Sequence, residues 1–216
     1  MVGLALDGEA LVGVNYDPMC NETFHAKRGK GAFLNDNPIR VSDRPNLSKT
    51  VVGFDLSHAG DDGASNGLQV IQAMLNDVGS TWIMGSAALR ISYAVAGRYD
   101  IYFNHGLEPW DQVAGLLLIE EDGGAVTDRT GSRAGLFSDG IITSSAGLHR
   151  VHASQRGHGM AQSNAPHRLE NWGNRVYLII HCHAERHRCI WSPWNNYRFA
   201  DNQILRLRTQ NCESWD

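Results

Sequence analysis

Four cysteines are too few and too unevenly placed to staple this chain. Cys20 stands alone, while Cys182, Cys189 and Cys212 crowd the C-terminal end. A disulfide framework is excluded, as expected of a chain kept in a reducing compartment. No apolar run reaches the roughly 18 residues a membrane-spanning helix needs. The N-terminus lacks the basic, apolar and small-residue succession of a secretory leader, so the expected location is cytoplasmic. Lysine is absent after residue 150. The segment 151–216 holds eight Arg and five acids, a balance of +3 inside a chain of net charge -4, which leaves -7 for residues 1–150. Six of the ten His and four of the six Trp also fall in that segment. So sharp a change argues for two kinds of sequence, 1–150 and 151–216. No internal repeat is visible, and His25, His58, His105 and His149 stand in no Ser/His/Asp arrangement.

What is present reads as alternating elements. Leu4-Ala5-Leu6 and Leu11-Val12-Gly13-Val14 flank Asp7-Gly8-Glu9, a hairpin signal. Residues 23–27 alternate as a strand, and Phe33-Leu34 and Pro38 to Val41 surround an Asn-Asp-Asn turn. Residues 50–54 follow as a strand and 58–66 as a Gly/Asp-rich loop. An amphipathic helix is expected over 65–77 and a short buried strand over 81–84. The next helix, 87–96, carries Leu89, Tyr93 and Ala96 on one face, and a strand spans 99–103. Pro109 opens a helix that ends at Gly123-Gly124. Residues 125–127 and 140–143 are strands, and Ser145 caps a last short helix. Strand–helix alternation from 50 to 150 predicts an α/β layered domain. Beyond 152 only Val176 to Ile180 makes a strand. The remainder of that tail is expected to be poorly ordered, like sequence from a shifted reading frame.

Two turns could carry chemistry. In Glu108-Pro109-Trp110-Asp111 an acid sits at a helix start, where free N–H groups and the dipole favour it. That makes Asp111 a helix cap, or a metal-ligating carboxylate at an anion-attracting end. Gly85-Ser86-Ala87-Ala88 lets a ligand approach the backbone closely, or simply packs a strand-to-helix turn. Two such turns in one α/β unit suggest a cleft at the strand ends.

Several short motifs then agree in order: Gly85-Ser86-Ala87-Ala88-Leu89, Ala96-Gly97-Arg98-Tyr99-Asp100, Pro109-Trp110-Asp111, Ala114-Gly115 and Glu121-Asp122-Gly123-Gly124. Together with Gly29-Lys30-Gly31-Ala32-Phe33-Leu34-Asn35 upstream, they resemble the C-terminal half of the inositol monophosphatase family over residues 2–150. The resemblance implies the C-terminal portion of a layered αβαβα sugar-phosphatase fold. It implies a Mg²⁺-dependent phosphomonoesterase acting on inositol monophosphate or a related polyol or sugar phosphate, and a homodimer. By the same resemblance Asp111 is a metal ligand that also touches substrate. Gly85, Ser86 and Ala87 line the substrate pocket, and Asn104 stands where inositol phosphatases carry a glutamate for a substrate hydroxyl.

The family's Asp-Pro-x-Asp-Gly-Thr loop and its upstream glutamate have no counterpart here. Asp17-Pro18 runs into Met19-Cys20, and Asp61-Asp62-Gly63 into Ala64. Mg²⁺ demands a nearly complete octahedral oxygen shell, which one carboxylate cannot supply. The expected chain is therefore a truncated form with no complete catalytic set, or a non-catalytic relative that acts as a dimer partner or regulator. His181, Cys182, His183, His187 and Cys189 are zinc-type ligands without a paired spacing. The Arg and Trp of the tail resemble a cationic extension more than a single-strand binder, and neither zinc nor nucleic acid is expected.

Overall fold

The computed structural model describes residues 1–55, 60–138, 140–149 and the strand 176–180. β1 (Val2–Leu6) and β2 (Glu9–Asp17) form the expected hairpin, with Asp7 and Gly8 both at positive φ, the geometry a tight two-residue turn demands. β3 (Glu22–Lys27), β4 (Ala32–Leu34) and β5 (Asn37–Pro38) continue the antiparallel meander. Period-two burial, shifted once by a bulge at Leu11, sorts its faces: Ala10, Gly13, Asn15, Phe24 and Ala26 are buried, while Tyr16 and Lys27 are exposed.

The second half alternates as read. β6 (Val51–Asp55), α1 (Gly60–Met74), β7 (Ser80–Trp82), α2 (Ala87–Val95), β8 (Ile101–His105) and α3 (Pro109–Asp122) lead to β9 (Ala125–Asp128) and β10 (Gly140–Ser144). The sheet order is β7-β6-β8-β10-β9, with β6 parallel to both β7 and β8, and β10 antiparallel to β8 and β9. Ser145 Oγ accepts from Leu148 N at 3.3 Å, capping the last helical turn.

Helices α2 and α3 lie between the two sheets. α3 packs on β1, β2 and β3 and, on its other side, on β9; α2 touches β2, β6, β8 and β10. α1 covers the far face of the second sheet, against β8. The layers thus run sheet, helices, sheet, helix, which are four consecutive layers of the expected αβαβα order. Among the described residues no helix covers the outer face of the first sheet, where Leu4, Val12 and Val14 are half-buried and Val2, Leu6 and Tyr16 exposed. Leu117, Leu118 and Ile119 are wholly buried between the sheets, each stabilising by about 1.5–3 kcal/mol. β8 divides its side chains: Tyr102 joins the inter-sheet core, and Ile101 and Phe103 join the smaller core under α1. The approach of β2 to α3 is close enough that a Cβ on Gly13 would sit 2.6 Å from Ala114 Cα.

Five details depart from the sequence reading. The loop expected at 58–66 is helical from Gly60, and α1 ends at Met74 instead of 77. A glycine inside a helix costs only about 1 kcal/mol, so Gly63 does not break it. β7 is not buried: Trp82 and Ile83 are each 58% exposed, because β7 is the sheet's edge strand. α2 buries Arg90, Ile91, Ala94 and Val95 and only half-buries Leu89, Tyr93 and Ala96, because it faces a sheet on each side. β8 begins two residues later than expected, since Asp100 is held by side-chain bonds before the ladder starts. The tail strand β11 (Val176–Ile180) forms as expected, and joins the first sheet antiparallel to β1. The expectation of a poorly ordered tail otherwise lies outside the described residues.

Candidate functional site

Because β6, β7 and β8 are parallel, their C-terminal ends share one edge. The helices that follow β7 and β8 must begin there, so the N-termini of α2 and α3 converge on the same edge, the usual place for a ligand in such sheets. Asp55 ends β6, and Asn104 lies directly beside it on β8.

Gly85 precedes α2 with φ +87°, a conformation that strains any residue with a Cβ. Ser86 is the N-cap, yet its hydroxyl makes no capping bond, and half-buried Ala87 packs on the inter-sheet core. Asp111 is the third residue of α3. Its Oδ2 accepts from Glu108 N at 3.2 Å, so the capping role read from the sequence is present. Its carboxylate also adds negative charge at the positive end of the helix dipole. Further along the first turn Gln112 is fully buried and donates to the Leu136 and Ser138 carbonyls at 3.0 and 2.9 Å.

Asn104 is buried and its Nδ2 donates to the Tyr102 hydroxyl at 3.0 Å. Tyr102 in turn donates to Asp55 Oδ2 at 3.4 Å. Asp55 Oδ1 pairs with Arg90 Nη2 at 3.0 Å, and Arg90 Nη1 donates to the Phe54 carbonyl. Burial raises the Asp55 pKa, and the Arg90 guanidinium opposes that rise. Burial, and then the charge on Asp55, raise the Tyr102 phenol, which stays protonated. The structure therefore links Asn104 to Asp55 through Tyr102, while Asp111 stands at the same edge on its own helix.

Asp55, Arg90 and Tyr102 escaped the sequence reading. Tyr102 looked like one residue of a strand, and an arginine inside a helix reads as solvated. The available signal was the helical position of Arg90 between Leu89 and Ile91, which places a charge where apolar residues predominate.

Other acidic residues of the shared motifs are structural anchors. Asp100 accepts Arg44 Nη1 at 2.8 Å and Val51 N at 2.6 Å. Glu121 takes the N–H groups of Gly29, Lys30 and Gly31 at 2.7–3.0 Å. Burial would raise its pKa, but those three bonds prevail and lower it. Asp122 accepts Val41 N and Gly124 N, yet burial pushes its pKa up to about 7.

As for metal, no group of three potential ligands includes Asp111 among the described residues. The group that does occur is Asp17, Cys20 and Glu22. There Tyr93 donates to Asp17 at 3.1 Å, and Arg98 pairs with Glu22. Asp111 alone does not make an octahedral Mg²⁺ site.

Comparison with known proteins decides the family. The model of the inositol monophosphatase family matches residues 1–163. The chain belongs to the inositol monophosphatase family. It is 36% identical over 150 residues to the inositol-1-monophosphatase of Mesorhizobium japonicum, covering 69% of this chain and 56% of that one. It is 37% identical to the Nus factor SuhB of Escherichia coli K12, covering 69% and 55%. The solved suhB structure from Bartonella henselae superposes with a TM-score of 0.66 at 33% identity, over 71% of this chain and 59% of that chain. The inositol monophosphatase of Anabaena gives 0.66 at 32%, over 70% and 60%. The chain thus spans about half the length of the curated relatives it matches, and the shared portion is the layered α/β fold described above. No helix among the described residues is long and apolar enough to cross a membrane.

Proposed function

We propose that this chain carries the substrate-side half of a metal-dependent phosphomonoesterase for a phosphorylated polyol or sugar. Asp111 carries the reading: a carboxylate at the start of a helix, on the edge where the parallel strands end. At that position it would supply one oxygen to Mg²⁺, and the ion would offset charge on the phosphate and leaving oxygen when bound. The N-terminus of α2 at Gly85, Ser86 and Ala87 offers backbone N–H groups to a phosphate, since a helix start attracts anions. Asn104 faces the polyol as an uncharged partner for a hydroxyl. Support comes from the relatives' names, which include inositol-1-monophosphatase and, in Thermotoga maritima, fructose-1,6-bisphosphatase/inositol-1-monophosphatase. A homodimer in the cytoplasm is part of the same proposal.

One observation favours a second reading, that of a non-catalytic partner or regulator. Among the described residues Asp111 belongs to no group of three potential metal ligands. The Escherichia coli relative is moreover named as a Nus factor. Phosphate release from inositol 1-phosphate, fructose 1,6-bisphosphate and nucleotide monophosphates with Mg²⁺ separates the two. Turnover that disappears in Asp111→Asn supports the enzyme. No turnover of any substrate by pure, folded protein supports the partner.

A further inference from the structure

An amide side chain can present either end to a ligand, and here the neighbours decide which. The Tyr102 hydroxyl has a single proton. Asp55 is paired with Arg90 through Oδ1 and accepts at Oδ2, so that proton goes to Asp55 Oδ2. The hydroxyl then meets Asn104 as an acceptor and takes an N–H from Nδ2 at 3.0 Å. What remains is Asn104 Oδ1, buried and without a partner among the described residues. A buried acceptor left unpaired is costly, by roughly the worth of the bond it lacks or more. We propose that Asp55 and Tyr102 are positioning residues that lock the Asn104 amide with its oxygen toward the ligand, so that Asn104 selects substrates offering a hydroxyl donor. The polarity runs one way, from Asn104 through Tyr102 to Asp55. Asn104 therefore acts as a neutral acceptor. The inference rests on the phosphatase reading only in placing a polyol at Asn104.

The test uses the intact chain and two readouts. In ¹⁵N-edited spectra, the Asn104 side-chain NH₂ pair is expected to move strongly on Tyr102→Phe while backbone amides outside β6 and β8 stay in place. An unmoved pair overturns the orientation. In titrations with Mg²⁺ present, glycerol 1-phosphate is expected to bind more tightly than propyl phosphate, which lacks the hydroxyls. That preference should fall by about two- to tenfold in Tyr102→Phe, the range of a single lost hydrogen bond. Asn104→Asp, which retains only acceptors, should keep it, and Asn104→Leu should erase it. Loss of the preference in Asn104→Asp overturns the proposal, because it would mean that Asn104 had been donating. Asn104→Asp serves even if Tyr102→Phe does not fold. Should neither phosphate bind, the phosphatase reading fails while the NH₂ spectra still decide the orientation.

Discussion

Arg90 has no exposed side-chain surface, and its carboxylate partner, Asp55, is only 13% exposed. Asp55→Ala therefore strands a guanidinium in the inter-sheet core with the Phe54 carbonyl as its remaining named partner. Removing one member of a buried ion pair costs about 3–5 kcal/mol, because the surviving charge is neither solvated nor compensated. Set against a native stability of roughly 5–15 kcal/mol, that is a fifth or more of what holds the fold. With a urea slope of about 2 kcal/mol per molar, the unfolding midpoint should fall by roughly 1.5–2.5 M. Far-UV circular dichroism in a urea series measures it. The double variant Asp55→Ala/Arg90→Met should recover most of the loss, since replacing a buried pair with apolar groups is often neutral. A loss under about 1 kcal/mol in Asp55→Ala, or a double variant no better than the single one, refutes the reasoning.

Three further outcomes are expected. Gly13→Ala must push β2 away from α3 at Ala114 and should destabilise by about 1–3 kcal/mol in the same urea assay; a neutral result would show that the two elements yield easily. Asp122 binds its proton more tightly folded, near 7, than at the ordinary value of 3.8. Its contribution is thus complete below the unfolded value and is lost as pH rises toward 7, so Asp122→Asn should flatten the fall in stability over that window, as read from midpoints at pH 4 and 8. Asp111→Asn should cost under about 1 kcal/mol of stability, because it weakens only a capping and dipole term, while abolishing any Mg²⁺-dependent phosphate release. Equal loss of fold and activity would make Asp111 structural.

Much of this protein was legible along the chain. Asp7-Gly8 announced a hairpin, Pro109 and Gly123 marked the ends of α3, and the alternation after residue 50 foretold the layers. These signals are local: a turn, a cap or a period depends on residues a few positions apart. The family too was readable, because its short motifs are ordered segments. What the chain could not show was which charges would be buried together. Asp55, Arg90, Tyr102 and Asn104 are separated by up to 49 positions, and only the parallel pairing of β6 with β8 and the seating of α2 over them brings them within bonding reach. Asp111 could be read as a cap from its neighbours alone. Its standing on the same edge as Asn104 depends on the strand directions, a property of the sheet and not of any segment. The exposure of Trp82 was hidden for the same reason, since an apolar strand reads identically at the centre of a sheet and at its edge.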